Sequence, residues 1–179
     1  PTGLTVEHYG LRLGTVAVEG FQGTNGGITT SANLALTAPT GITAGELLLL
    51  IVGNSDNTNT AQFSNNLAGW NFIGTSGSAT PDAHIGAFWR TATGTEGAVT
   101  VVAQSADYWW GWYIRISGAD PTSPINAQNF AVSTATGVNP HVIPQITTTV
   151  DSSLAFYGLS FDGADGYPFS VAGTGWSES

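Results

Sequence analysis

The side chains able to do chemistry are few and dispersed. The 179 residues include twelve Asp and Glu, three His, three Arg (Arg12, Arg90 and Arg115), no Lys and no Cys. His8, His84 and His141 form no His-Xaa-Xaa-Xaa-His pair that would put two imidazoles on one side of a metal. Each reads as a surface or strand-end residue. No Gly-Xaa-Ser-Xaa-Gly elbow raises a serine nucleophile, and no glycine-rich loop leads from a strand into a helix to cradle a phosphate. These residues predict a protein that is not an enzyme and carries no cofactor. The one metal-compatible string is Asp162-Gly163-Ala164-Asp165-Gly166, whose carboxylates and carbonyls are the hard oxygen ligands calcium accepts. The same string makes an ordinary turn, because Asp satisfies local backbone groups and Gly accepts positive φ, and a turn without metal is the expectation. Asn54-Ser55-Asp56-Asn57-Thr58-Asn59, with one carboxylate, is a weaker candidate still.

Contact through aromatic rings is a second kind of chemistry, and Tyr108-Trp109-Trp110-Gly111-Trp112-Tyr113-Ile114-Arg115-Ile116 concentrates it. In a strand, Trp110, Trp112, Ile114 and Ile116 share one face, which reads as core. Trp109, Tyr113 and Arg115 share the other, with Gly111 leaving a flat shelf between them. Self-coverage by the chain's own loops or arm is the first reading of that shelf. A protein interface is the second, because aromatic and Arg side chains dominate binding hot spots. Stacking on a glycan is the third, with Tyr167 and Phe169 as further loop aromatics. Gly86, Phe88 and Arg90 alternate against Ile85, Ala87 and Trp89 in a neighbouring strand. If the strands pair, Arg90 and Arg115 lie on one outer face, each partnered by a carboxylate.

The elements that must position these residues are strands. No stretch holds a helical period over a usable length, and short extended runs recur at intervals typical of all-β folds. Strands are expected at Val16 to Phe21, Asn33 to Leu36, Leu47 to Val52, Phe72 to Thr75, Ile85 to Thr91, Ala98 to Gln104 and Trp109 to Ser117. Further strands are expected at Gln128 to Ser133, His141 to Thr149, Leu154 to Phe161 and near Ser170 to Ala172. Leu47 to Val52 is continuously apolar and reads as a core strand buried on both faces. Gly23-Thr24-Asn25-Gly26-Gly27 reads as a turn. The expected fold is an all-β, two-sheet antiparallel β-sandwich of jelly-roll type. Residues 1–20 form an N-terminal arm or first strand, and residues 21–179 form the sandwich.

The chain also repeats itself. Thr37 to Glu46, an apolar strand and Gly69-Trp70 are echoed about 106 residues later by Val142 to Asp151, Leu154 to Phe161 and Gly175-Trp176. Further strands follow the first Gly-Trp, whereas the second lies three residues from Ser179. The expectation is that closing strands were cut away, come from a neighbouring subunit or are not needed. Pro1 is compatible with removal of an initiator Met.

Composition narrows the partners. A net charge of −9 with three cations argues against nucleic acid or an anionic membrane, which require basic clusters. No run approaches the roughly 18 apolar residues of a membrane helix, and the opening residues lack a charged-then-apolar pattern, so no signal peptide is expected among them. The absence of Cys rules out disulfides, so stability must come from packing or assembly.

Ala38-Pro39-Thr40-Gly41-Ile42-Thr43-Ala44-Gly45-Glu46-Leu47-Leu48-Leu49, Gly69-Trp70, Ala87-Phe88-Trp89-Arg90-Thr91-Ala92-Thr93 and Tyr113-Ile114-Arg115-Ile116-Ser117-Gly118-Ala119-Asp120 with Pro124-Ile125-Asn126-Ala127 carry a family resemblance. Together, over roughly residues 30 to 176, they resemble a β-sandwich module of bacteriophage virion proteins found in tail-associated and capsid-surface components. The resemblance implies a structural protein on the virion surface, either a capsid decoration (cement) protein or a tail or fibre component. Its partners would be other virion proteins and copies of itself, with a trimer as the family expectation. An arm burying Leu4, Val6, Tyr9, Leu11 and Leu13 on a neighbour is the expected docking device. A carbohydrate-binding or host-adhesion module is the alternative.

Overall fold

The computed structural model describes residues 15–28, 33–54, 63, 67–79, 82–102, 108–131, 145–150 and 153–158. These residues hold seven strands and no helix: β1 (Ala17–Ile28), β2 (Asn33–Leu36), β3 (Leu47–Asn54), β4 (Asn71–Ala79), β5 (Asp82–Thr91), β6 (Val99–Val102) and β7 (Tyr108–Ser117). All described pairings are antiparallel. One sheet has the order β1-β7-β3-β5-β4, and the other pairs β2 with β6.

The middle strand β3 is buried along its whole length. Its leucines would suit a helix by propensity alone, but β5 and β7 pair with it on both sides in unbroken register. Tertiary pairing decides the conformation. Leu48, Leu50 and Val52 face one side of the sheet, while Leu47, Leu49 and Ile51 face the other. Each such side chain contributes about 1.5–3 kcal/mol by leaving water.

On the first face, Leu48, Leu50, Val52, Phe88, Trp109 and Tyr113 share one core with Leu34, Leu36 and Val101 of the smaller sheet. Gly111 makes the close approach, because a Cβ there would lie 2.9 Å from both Leu34 Cδ2 and Leu36 Cδ2. Phe63 and Trp70 complete the cover. Phe63 meets Trp109 edge-on at 5.8 Å, and Trp70 meets Tyr113 edge-on at 5.6 Å, a favoured arrangement for aromatic quadrupoles.

The second face is apolar too. Leu47, Leu49, Ile51, Ile114 and Ile116 pack with Val16, Trp110, Ala119 and Phe156. Gly158 rests against this face, where a Cβ would fall 2.6 Å from Ile85 Cδ1 and 2.7 Å from Ile51 Cγ2. The segment around Phe156 was expected to be a strand, the counterpart of β3 in the repeat. Residues 153–158 are instead irregular chain, with Phe156 and Gly158 against this face.

Other expected elements also differ. Gly23 to Gly27 is no turn but the second half of β1, paired with the aromatic half of β7. The Trp112 ring lies where a Gly23 Cβ would be 3.0 Å away, so glycine supplies room that a larger residue would deny. Residues 17–20 lie in β1, where a strand was expected at Val16 to Phe21. Within the spans expected as strands at Gln128 to Ser133 and His141 to Thr149, the described residues are irregular. Side-chain amides join them in place of a backbone ladder. Asn126 Nδ2 donates to Thr149 Oγ1 at 3.0 Å, Thr149 N donates to Asn126 Oδ1 at 2.8 Å, and Asn129 Nδ2 donates to the Gln145 carbonyl at 3.0 Å.

Candidate interaction surface

The aromatic run of β7 splits by parity, but its shelf does not face outward. Trp109 and Tyr113 are each 1% exposed and share one core with Leu34, Leu36, Phe63 and Trp70. They cannot stack on a sugar or a partner in this arrangement, so among the three readings of the shelf the chain's own coverage is the one observed. The smaller sheet is the reason: Leu34 and Leu36 of β2 lie across the Gly111 gap and close it.

Arg115 and Arg90 share a face, because both stand opposite Leu48 in the register of β3. That face is the core side at one end of the sheet, not an outer surface, and β3 separates the two strands. Each guanidinium has a carboxylate partner. Arg115 Nη2 donates to Glu46 Oε1 at 2.9 Å, and Nη1 donates to the Thr40 carbonyl at 2.7 Å. Glu46 Oε2 accepts from Thr43 N at 3.0 Å, which ties the loop before β3 to β7. A Cβ at Gly41 would lie 2.6 Å from Arg115 Nη1, and its φ of 75° also favours glycine.

Arg90 lies 5.9 Å over the Trp70 ring and 3.5 Å from Glu96. Burial pushes the Glu96 carboxyl upward, but hydrogen bonds from Thr93 N, Thr93 Oγ1 and Gly94 N outweigh it and hold the pKa at about 2. Burial raises the Tyr113 phenol, with the Glu96 charge adding to the effect and Arg90 opposing it. Ala92 N donates to the Glu46 carbonyl at 2.8 Å, and Gly45 N donates to the Ala92 carbonyl at 2.9 Å, so the two ion pairs belong to one locked end. This cluster fixes loops and holds its charges in internal pairs.

His84 is buried on β5, opposite Asn54 and Gly77 in register, rather than at the surface. Among the described residues no group of three or more His, Cys, Asp or Glu could hold a metal. No helix among them is long and apolar enough to cross a membrane. Asp120 accepts from Thr122 N at 2.7 Å and Ser123 N at 3.0 Å, and the Ser123 bond, followed by the Thr122 bond, lowers its pKa.

The exposed rings lie elsewhere, on the second face beside β1. Phe21 is 53% exposed and Trp112 40% exposed, with their ring centroids 5.2 Å apart and tilted by 59°. Val18 is exposed on the same strand. Parity correctly separated Trp112 from Trp109, but it could not tell which side the second sheet would cover more fully. A glycine string facing an aromatic run was the available signal, since small residues let large rings lie flat on a neighbouring strand. Among the described residues β1 is paired only with β7, leaving its other edge open. The proposed contacts Tyr167 and Phe169, the arm residues Leu4, Val6, Tyr9, Leu11 and Leu13, the calcium candidates Asp162 and Asp165, and His8 and His141 lie outside the described residues.

No family model matches the chain, and neither the curated proteins nor the solved structures include a match.

Proposed function

We propose that this chain is a non-enzymatic structural protein of a phage particle surface, a capsid decoration or tail component that works by protein–protein assembly. The observation that carries the assembly part is the open β1 edge flanked by exposed Val18, Phe21 and Trp112. Exposed apolar rings beside unpaired strand backbone are a surface suited to another protein. The phage setting rests on the resemblance in the strand and turn motifs. The accompanying fold reading is a two-sheet β-sandwich of jelly-roll type, supported by the core shared between Leu34, Leu36 and Val101 on one sheet and Leu48, Leu50 and Tyr113 on the other.

Mass spectrometry of purified particles from the phage that encodes the chain tests this reading. Stoichiometric peptides are expected, and absence from the particles would overturn it. The adhesion alternative keeps one specific support, the exposed Phe21–Trp112 pair, because stacking on a sugar requires accessible rings. A glycan ligand would shield Trp112 from a soluble quencher, whereas unchanged quenching across a glycan panel would remove that alternative.

A further inference from the structure

We infer that β1 is a self-pairing edge: two copies of this chain join β1 to β1 in antiparallel register, centred on Gly23, into one continuous sheet. This goes beyond the particle reading and holds for the isolated chain as well. Three features of the strand support it.

The first is its regularity. β1 follows β7 without a break from Gly20 opposite Arg115 to Gly26 opposite Trp109, with a register slip just outside each end. Gly23 is the midpoint of that stretch. A two-fold axis through it brings Gly20 opposite the second copy's Gly26, Phe21 opposite Asn25 and Gln22 opposite Thr24. Every pair joins residues of the same face, as antiparallel pairing requires.

The second is charge. Edge strands are ordinarily kept from pairing by Lys, Pro or inward-pointing charges. β1 has no Lys, Arg or Pro, and Glu19 is its sole carboxylate in a chain of net charge −9. Glu19 lies outside the paired stretch and accepts a hydrogen bond from Ser117 Oγ at 2.6 Å. The edge is therefore a nearly neutral strip on an acidic molecule. A strongly basic partner would find little on it to pair with, whereas a second copy meets it without charge repulsion along the contact.

The third is shape. Trp112 lies over Gly23, and Phe21 stands 5.2 Å from it. At a Gly23–Gly23 centre, the two Trp112 rings cover adjacent glycines and approach across the axis, each flanked by its own Phe21. The pairing thus covers the rings that the single chain leaves exposed. It also gives partners to the outward backbone groups of β1, which no other described strand pairs. The isologous contact closes after two copies.

The test uses the full chain, whose lack of cysteine makes introduced thiols unambiguous. Sedimentation at increasing concentration should reach twice the 18.4 kDa of one chain. Phe21→Glu, a change at an exposed position, should return it to the single-chain mass with an unchanged β-type circular dichroism spectrum. Mixing Gln22→Cys chains with Thr24→Cys chains under oxidation should give a disulfide-linked heterodimer, because directly opposed residues lie about 4.5–5.5 Å apart at Cα, within disulfide range. Either variant alone should link at least tenfold more slowly, as should a mixture of Gln22→Cys with Thr100→Cys on β6. A wild-type chain that stays at single-chain mass overturns the inference. So does a dimer that Phe21→Glu leaves intact, or one in which the mixed thiols link no faster than the β6 control.

Discussion

Glu96 draws three hydrogen bonds from two neighbouring residues and an Arg90 contact at 3.5 Å, so its ionised form belongs to the folded state. Its pKa falls from 4.5 to about 2 on folding. A depressed carboxyl contributes stability above its unfolded pKa and loses it as the pH falls through the folded value. The affected window runs from about pH 4.5 down to about 2. Allowing for solvent screening, the contribution is on the order of 2 kcal/mol. Glu96→Gln should lower stability at pH 7 by about that amount and flatten the loss between pH 4.5 and 2, as followed by urea unfolding. A wild-type curve already flat across that window would contradict it. Arg115 and Glu46 form a better-shielded pair, with side-chain exposures of 15% and 9%. Glu46→Gln should cost about 2–3 kcal/mol, because the guanidinium keeps its burial but loses the charge that compensates it. A loss below 1 kcal/mol in the same assay would show that water replaces the carboxylate.

At the scale of elements, the strands were legible in the sequence where side chains alone decide them. β2, β3, β5 and β7 lie close to their expected positions, because alternation or continuous apolarity marks a strand whichever partner it finds. β1 was half legible: its glycines carry turn propensity, and only Trp112 of another strand explains why they stay extended. The irregular chain at residues 145–150 was illegible for a related reason. Its β-branched and apolar residues fit a strand, but Asn126 and Asn129 supply side-chain hydrogen bonds that compete with a ladder. Glycine is thus a packing residue in these sheets. Gly53 lies under the Trp110 ring, and a methyl there would fall inside the indole, whereas a Cβ at Gly97 meets nothing within 4 Å. Gly53→Ala should lower the thermal midpoint with a stability loss of about 1–3 kcal/mol, and Gly97→Ala should be neutral within about 0.5 kcal/mol. Equal effects at the two positions would show that backbone freedom, rather than the Trp110 contact, sets the cost.

At the scale of the molecule, charge decides how copies meet. Arg90 and Arg115 are engaged by Glu96 and Glu46, and the chain as a whole carries a net charge of −9. Two such chains repel at a distance whatever the β1 edge offers at contact. The sequence made the acidity plain, but it could not show that the least charged strand would lie at a sheet edge, since that follows from the order β1-β7-β3-β5-β4. Salt separates the two contributions. Ions screen the long-range repulsion, with a Debye length of roughly 10 Å at 0.1 M, but leave backbone pairing and ring burial at β1 largely untouched. Self-association should therefore tighten severalfold as sodium chloride rises from about 0.01 to 0.2 M, a range over which the Debye length shrinks from about 30 Å to under 10 Å. An interface built on ion pairs would weaken over the same range, because screening acts on the attraction itself. Sedimentation equilibrium across that series reads the sign directly. Tightening fits a neutral edge on an acidic body, and weakening would place the contact at charged residues away from Phe21 and Trp112.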